Sequence, residues 1–177
     1  MGVNLTAAHN DAALGLINWF IGLAKKGEVE NNTNALASTL GLIAGRELLK
    51  NTMGDRLAKL EPGAIVIVEE INEGGRDLTG FLFWLGKSLN FKPPRDEAVA
   101  LSHAELTRLL GLITAHQAEI EAVFDGYHLG KADRPYVAVL AVLKAVEMNG
   151  NDQAPFTFSD AASLAVAGMV HGAKTVS

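Results

Sequence analysis

The sequence predicts a mainly α-helical protein, a single compact domain of about six helices, and three observations predict this class. Apolar residues recur at intervals of three and four along most of the chain, which is the spacing of one helix face. Ser or Asp before such stretches, and Gly after them, are typical of helix ends. The length of 177 residues fits one domain at 1–177, and no linker or internal repeat divides it.

The first two predicted helices lie in the N-terminal third of the chain. Residues 12–24 are apolar on nearly every side, which indicates a buried helix. The second helix covers residues 34–50, and one of its faces carries Gly41 and Gly45, one turn apart. Glycine inside a helix costs about 1 kcal/mol relative to alanine. We therefore expect the backbone of another helix to pack closely against this face.

Residues 64–71 leave two structures open. Three β-branched residues within 64–68 favour a strand, whereas Pro62 before the segment and Gly74-Gly75 after it are typical of helix ends. A strand needs a partner, so it would require a small β-hairpin through residues 72–75 or a second subunit.

Residues 80–88, GFLFWLGKS, end like a phosphate-binding loop but predict a helix. The pattern G-x-x-x-x-G-K-[ST] requires its first Gly at position 81, which is Phe. The leucines around Phe81 recur at helical spacing, and Asp77 is in the place of an N-cap. Phe83 and Trp84 lie off this stripe, so either the helix is buried on several sides or the rings face another chain.

The next predicted helix runs from Ser102 to residue 124. Ser102 and Glu105 form a capping box at its start. Gln117 is the polar residue on its apolar face, so we expect Gln117 to be hydrogen-bonded in the core or to face a partner chain.

Two further helices complete the prediction. The first follows Asp133 as N-cap and stops at Gly150. The second runs from residue 159 or 160 to His171, where Gly172 is expected to end it.

Charge and composition exclude several classes of partner. The net charge is −5, and no cluster of Lys and Arg extends beyond Lys25-Lys26. The chain therefore lacks the positive surface that binds nucleic acid or an anionic membrane. It has no cysteine, which excludes disulfides and Cys-ligated zinc and fits a cytoplasmic protein. The apolar run 12–24 is shorter than the roughly 20 residues that span a bilayer.

A group of carboxylates is the candidate metal site. Its members are Glu69, Glu70, Glu73 and Asp77. On a helix such carboxylates share a face and repel each other unless they are solvated, protonated or bridged by Mg²⁺ or Mn²⁺. The stretch from Glu70 to Glu73 resembles the E-x-x-E half of the metal site of the all-α NTP pyrophosphohydrolases, although Gly80 stands where the E-x-x-D half has its aspartate. The resemblance implies a metal-dependent hydrolase of nucleotides or related phosphates.

The function that the sequence favours is that of a self-associating, non-catalytic helical protein, with a homodimer as the expected oligomer and no cofactor. The chain has neither a G-x-S-x-G nor an H-E-x-x-H motif. The residues expected at the interface are Phe83, Trp84 and Gln117. The alternative function is the metal-dependent hydrolase with Mg²⁺ or Mn²⁺.

Overall fold

The structure, a computed structural model, describes residues 4–90, 99–149 and 157–177. In these ranges the chain forms a short 3₁₀ helix, Gly54–Lys59, and seven α-helices: α1 (Ala7–Lys25), α2 (Thr33–Met53), α3 (Glu69–Ser88), α4 (His103–Ala115), α5 (Gln117–Gly126), α6 (Arg134–Met148) and α7 (Phe158–Lys174). The predicted fold class, a mainly helical single domain, is confirmed. The predicted stop at Gly150 lies outside the described residues.

Helices α2 and α6 form the centre of the molecule. Every residue in 37–45 and in 137–143 is buried, because these two stretches consist of apolar or small residues and the other helices cover them. Helix α1 packs on α6 and α5, α3 packs on α6 and α7, and α4 packs on α2. None of the helices that the structure describes is both long and apolar enough to cross a bilayer.

Helices α2 and α7 run parallel with their backbones in contact. A Cβ atom on Gly45 would overlap the carbonyl oxygen of Met169, and Gly41 meets the backbone of α7 one turn earlier. On the other side of the contact, Cβ atoms on Gly168 and Gly172 would each lie 2.5 Å from a carbonyl oxygen of α2. The close approach predicted for Gly41 and Gly45 is therefore confirmed.

Gly172 does not end the last helix, contrary to the prediction. Helix α7 continues to Lys174, and Gly172 is buried against α2. The residue is glycine because a side chain would strike α2, so the position serves helix packing and not helix termination.

The third helix begins earlier than predicted. Helix α3 starts at Glu69 with Val68 as N-cap, and Asp77 lies within the helix instead of capping it. Two carboxylates in the first turn, Glu69 and Glu70, interact favourably with the positive end of the helix dipole. The helix end that Gly74-Gly75 suggested does not occur, since both glycines lie inside α3 and Gly74 lies against Leu48 of α2.

The helix predicted to begin at Ser102 breaks into two. Ser102 caps it as predicted, since its hydroxyl accepts a hydrogen bond from the Glu105 amide at 3.2 Å. His116 ends α4 and begins α5, and its side chain bonds to Glu119 in the first turn of α5. The break turns the next residue, Gln117, to the surface.

Asp133 lies at the N-cap position of α6, but its carboxylate does not cap the helix. It instead lies 3.2 Å from Nε2 of the buried His9. The contact joins the starts of α1 and α6.

The segment before α3 is extended and pairs with the C-terminal residues. The Val66 amide donates to the Lys174 carbonyl at 2.8 Å, and the Val176 amide donates to the Ala64 carbonyl at 2.9 Å. The two segments are antiparallel and meet in a single bridge at Ile65. The predicted hairpin does not form, and residues 174–176 supply the partner that a strand at 64–68 needs.

Candidate functional site

The four predicted metal ligands do not converge. Glu69 accepts a hydrogen bond from Arg76 at 3.0 Å in an exposed ion pair. Hydrogen bonds from Arg76 and then Asn72 lower the pKa of Glu69 from its ordinary value. The side chains of the other three are exposed: Glu70, Glu73 and Asp77.

Among the residues that the structure describes, no group of three or more His, Asp or Glu side chains is placed to hold a metal ion. Metal binding at Glu69, Glu70, Glu73 and Asp77 stays a prediction, and the geometry does not support it.

The two aromatic residues of the predicted interface differ in exposure. Phe83 is half-buried and packs against the core. Trp84 is 48% exposed, and its ring stacks on that of Phe81 with 5.9 Å between the ring centroids. Trp84 thus presents one ring face to the core and leaves the rest of its surface open.

Trp84 belongs to a row of residues along the side of α3 that faces away from the core. We name this row the outer stripe of α3; it consists of Glu73, Asp77, Gly80, Trp84 and Lys87. Spacings of four and three residues place all five on one face. Gly80 is half-exposed and the other four are exposed. The stripe is acidic towards the N-terminus of α3 and basic towards the C-terminus.

Gln117, the third predicted interface residue, lies on a different element. It is exposed at the start of α5, and its Oε1 accepts a hydrogen bond from Nη2 of Arg46 at 2.7 Å. This bond forms at the surface, so it is not the core hydrogen bond that the sequence predicted, and the contact of Gln117 with a partner chain stays a prediction.

Gln117 lines a groove of about 910 Å³ between the end of α2, α5, the 3₁₀ helix and the C-terminal residues, which we name the Glu47 groove. The polar part of the lining includes Glu47, Lys50, Asn51, Gln117 and Glu121. The aliphatic part of the lining consists of Leu57, Ala58, Leu60, Pro62 and Val176.

Glu47 is the buried charge of this groove. Its side chain is 4% exposed, and Oε2 lies 2.9 Å from Nζ of Lys50. The same Lys50 ammonium lies 3.1 Å from Oε1 of Glu121. Oε1 of Glu47 has no hydrogen-bond donor among the described residues. Two carboxylates therefore share one ammonium group, and one buried oxygen lacks a partner.

Arg46 lies beside this pair without donating to it. Its Nη2 donates to Gln117, and its Nε donates to Oγ of Ser177 at 3.2 Å. Burial lowers the pKa of Arg46, and the charges of Glu47 and Glu121 oppose this shift. The positive charge of Arg46 therefore attracts both carboxylates, although its hydrogen bonds are made to Gln117 and Ser177 and not to either carboxylate.

The other end of the groove holds charges at the surface. Arg134 pairs with Asp125 at 2.7 Å and lies over the Phe124 ring, 5.3 Å from its centroid. Asp55 and Lys131 also line the groove, and neither forms an ion pair within the described part of the chain.

His116 forms a separate network with both ring nitrogens engaged. Nδ1 lies 2.6 Å from Glu119 and Nε2 lies 3.3 Å from Glu28. Trp19 donates to the same Glu119 carboxylate at 3.2 Å, and this bond, followed by that from His116, lowers the pKa of Glu119. Because both nitrogens are paired, the imidazole joins α5 to α1 and the loop after it.

The sequence analysis did not single out Glu47. The spacing Glu47-x-x-Lys50 is that of an ordinary ion pair on a helix surface, so it gives no sign of burial. The signal that would have found it is an acidic residue in a helix whose other neighbours are nearly all apolar or small.

A comparison of the chain with protein-family models, with curated proteins and with solved structures finds no match.

Proposed function

We propose that this protein is a cytoplasmic, self-associating protein-interaction module without catalytic activity, and that it forms a homodimer through the outer stripe of α3. The observation that carries the proposal is the exposure of Trp84. Tryptophan offers a large apolar surface, and burial contributes about 25 cal/mol for each Å² removed from water. Residues of this type supply much of the binding free energy at protein interfaces.

The order of charges along the stripe supports a second copy of the chain as the partner. Glu73 and Asp77 precede Gly80, and Lys87 follows it. If two α3 helices pack antiparallel, the acidic half of each lies beside Lys87 of the other, and the two-fold axis repeats the contact. Gly80 lies midway between Glu73 and Lys87 and lets the two backbones approach closely.

The length of α3 indicates a weak dimer. Its 20 residues extend over about 30 Å. A single helix pair of this length is at the small end of the range of specific interfaces, so we expect a dissociation constant on the order of 10 μM.

Sedimentation equilibrium from about 1 to about 500 μM protein tests the proposal. We expect the mass to rise with concentration from 18.7 kDa towards twice that value. Trp84→Glu should keep the chain monomeric, because it replaces the largest apolar side chain of the contact with a charge. Met148→Glu is the matched control, since Met148 is also exposed but lies at the end of α6. A wild-type protein that stays monomeric throughout would overturn the proposal, as would equal effects of the two variants.

A charge exchange tests the antiparallel arrangement. Lys87→Glu alone should weaken the dimer by roughly tenfold, because like charges then meet across the interface. Adding Glu73→Lys in the same chain should restore most of the affinity. Each contact between position 73 of one subunit and position 87 of the other then joins a lysine and a glutamate again. If the double variant is as weak as the single one, the dimer is not antiparallel about Gly80.

The metal-dependent hydrolase remains the alternative proposal, and it has its own test. Binding of Mg²⁺ or Mn²⁺ to the native state would raise the melting midpoint. A rise that Glu70→Gln and Glu73→Gln remove would support the alternative, and an unchanged midpoint at millimolar metal would dismiss it.

A further inference from the structure

The Glu47 groove contains a buried carboxylate oxygen that lacks a donor. Oε1 of Glu47 is inaccessible to solvent and has no hydrogen-bond partner among the described residues, while Oε2 is held by Lys50. Leaving a buried acceptor unpaired is unfavourable, and the penalty is larger when the group is charged. Glu47 therefore favours any molecule that brings a donor to this end of the groove.

The unpaired oxygen of a carboxylate favours a cationic donor. Glu47 and Glu121 share the Lys50 ammonium, and the hydrogen bonds of Arg46 go to Gln117 and Ser177. Hydrogen bonds between a carboxylate and an ammonium group are stronger than those between neutral groups. A second ammonium beside that of Lys50 would supply donors to both carboxylates.

A metal ion fits this position less well than an ammonium group. Mg²⁺ and Ca²⁺ take six or more oxygen ligands. The groove offers two carboxylates here, and among the described residues no three His, Asp or Glu side chains are placed to hold a metal ion. An ammonium group needs only two or three acceptors, which these carboxylates provide.

The apolar lining of the groove favours an aliphatic ligand. Leu57, Leu60 and Val176 line the groove together with Glu47, and the lining that the structure describes contains no aromatic ring. A flexible alkyl chain packs well on such a lining. The volume of about 910 Å³ is within the range of small-molecule sites.

We propose that the Glu47 groove binds an aliphatic primary amine, with its ammonium group at Oε1 of Glu47 and its alkyl chain on the aliphatic lining formed by Leu57, Leu60 and Val176. Because Oε1 is buried, a neighbouring side chain must shift to admit the ligand; Lys50, which pairs with Oε2 and is partly exposed, is the residue that shifts in this proposal. The site is separate from the outer stripe of α3, and the proposal does not depend on self-association.

The test uses hexylamine as the probe and hexanoate as the matched control with the opposite charge. Hexylamine at about 10 mM should raise the melting midpoint of the wild-type chain by about 4 °C if its dissociation constant is near 1 mM. Hexanoate at the same ionic strength should not raise it. Amide shifts in ¹H–¹⁵N spectra should change at residues 46–51 and 117–121.

Two variants complete the test. Glu47→Gln should reduce the shift of the midpoint below about 1 °C, whereas Asp11→Asn, which removes an exposed carboxylate on α1, should leave it unchanged. The proposal is wrong if hexanoate stabilises as well as hexylamine, if both variants respond like the wild type, or if hexylamine has no effect because water alone meets Oε1.

Lys50→Met keeps the proposal testable if Glu47→Gln does not fold. This variant lacks the ammonium that Glu47 and Glu121 share, so hexylamine should stabilise it more than it stabilises the wild-type chain. An equal or smaller shift in Lys50→Met would contradict the proposed position of the ligand ammonium.

Discussion

At the scale of single residues, four glycines set the distance between α2 and α7. Helix α2 carries two of them, Gly41 and Gly45, and α7 carries Gly168 and Gly172. A Cβ atom on any of the four would meet backbone atoms of the other helix, which cannot move aside as a side chain would. All four have negative φ, so the reason for glycine is space and not backbone conformation. Close contact between two buried helices compensates for the low helix propensity of glycine.

Gly45→Ala should be strongly destabilising for this reason. Its Cβ would overlap the Met169 carbonyl, so α2 and α7 must separate, and we expect a loss of about 3 kcal/mol in the free energy of unfolding. Gly111→Ala is the control, because its Cβ would meet nothing within 4 Å. That variant should gain about 0.5 to 1 kcal/mol from better helix propensity. Urea unfolding measures both, and similar effects would contradict the packing argument.

Glu47 shows what the sequence cannot predict at this scale. Burial depends on which other elements pack beside a helix face, and the residues that line the groove with Glu47 include some from α5 and the C-terminal segment. Gly41 and Gly45 were informative because glycine destabilises a helix interior, so its presence there indicates close packing. A glutamate three residues before a lysine has an ordinary explanation, so the sequence gives no cause to look further.

At the scale of elements, the extended segment before α3 illustrates the same limit. The β-branched residues in 64–68 predicted an extended chain, and residues 64–67 are extended as far as the start of α3. Its partner, residues 174–176, is too short to have a periodicity of its own. Only folding of α7 against α2 brings the two segments together, so local sequence could indicate the strand but not its partner.

Amide hydrogen exchange should show this pairing directly. The Val66 and Val176 amides donate across the two segments, so they should exchange at least about a hundredfold more slowly than unprotected amides. Ile65 and Ile67 donate no backbone hydrogen bond within the described residues, and Ile67 is 79% exposed. Their amides should exchange near the unprotected rate and serve as internal controls. Equal protection of all four would mean that the edge at Ile65 and Ile67 is also covered.

At the scale of the whole molecule, the fold class was predictable and the arrangement of helices was not. Helical periodicity, capping residues and apolar content are local properties, and they identified the helical domain. The break at His116 and the early start of α3 depend on contacts between elements, such as Gly74 with Leu48. Sequence patterns predict elements, whereas their ends and neighbours are decided by packing.

Helix packing also brings His103 and His171 together, which makes the stability of the whole molecule depend on pH. The two rings, one on α4 and one on α7, meet edge to face with 4.9 Å between their centroids. Burial, and then the charge of His103, lower the pKa of His171 from its ordinary value. The unfolded chain therefore binds more protons than the folded one between the folded pKa and about 6.5.

The sign of the effect follows from this difference in bound protons. Stability should be highest above about pH 6.5 and should fall as the pH decreases towards the folded pKa of His171. Because the ring is largely solvated, the loss should stay below about 1 kcal/mol. The lowered pKa values of Glu69 and Glu119 act in the same direction but in a more acidic range, since their ordinary value is 4.5.

Urea unfolding at about pH 7.5 and about pH 5.5 measures the contribution of the histidine pair. His171→Gln should reduce the difference in unfolding free energy between the two pH values, because the group with the lowered pKa is gone. His103→Gln should reduce it in part, since it removes the smaller of the two causes. His128→Asn is the control, because His128 is exposed with φ 56° and asparagine tolerates that conformation. If the pH dependence survives in His171→Gln, a different group is responsible for it.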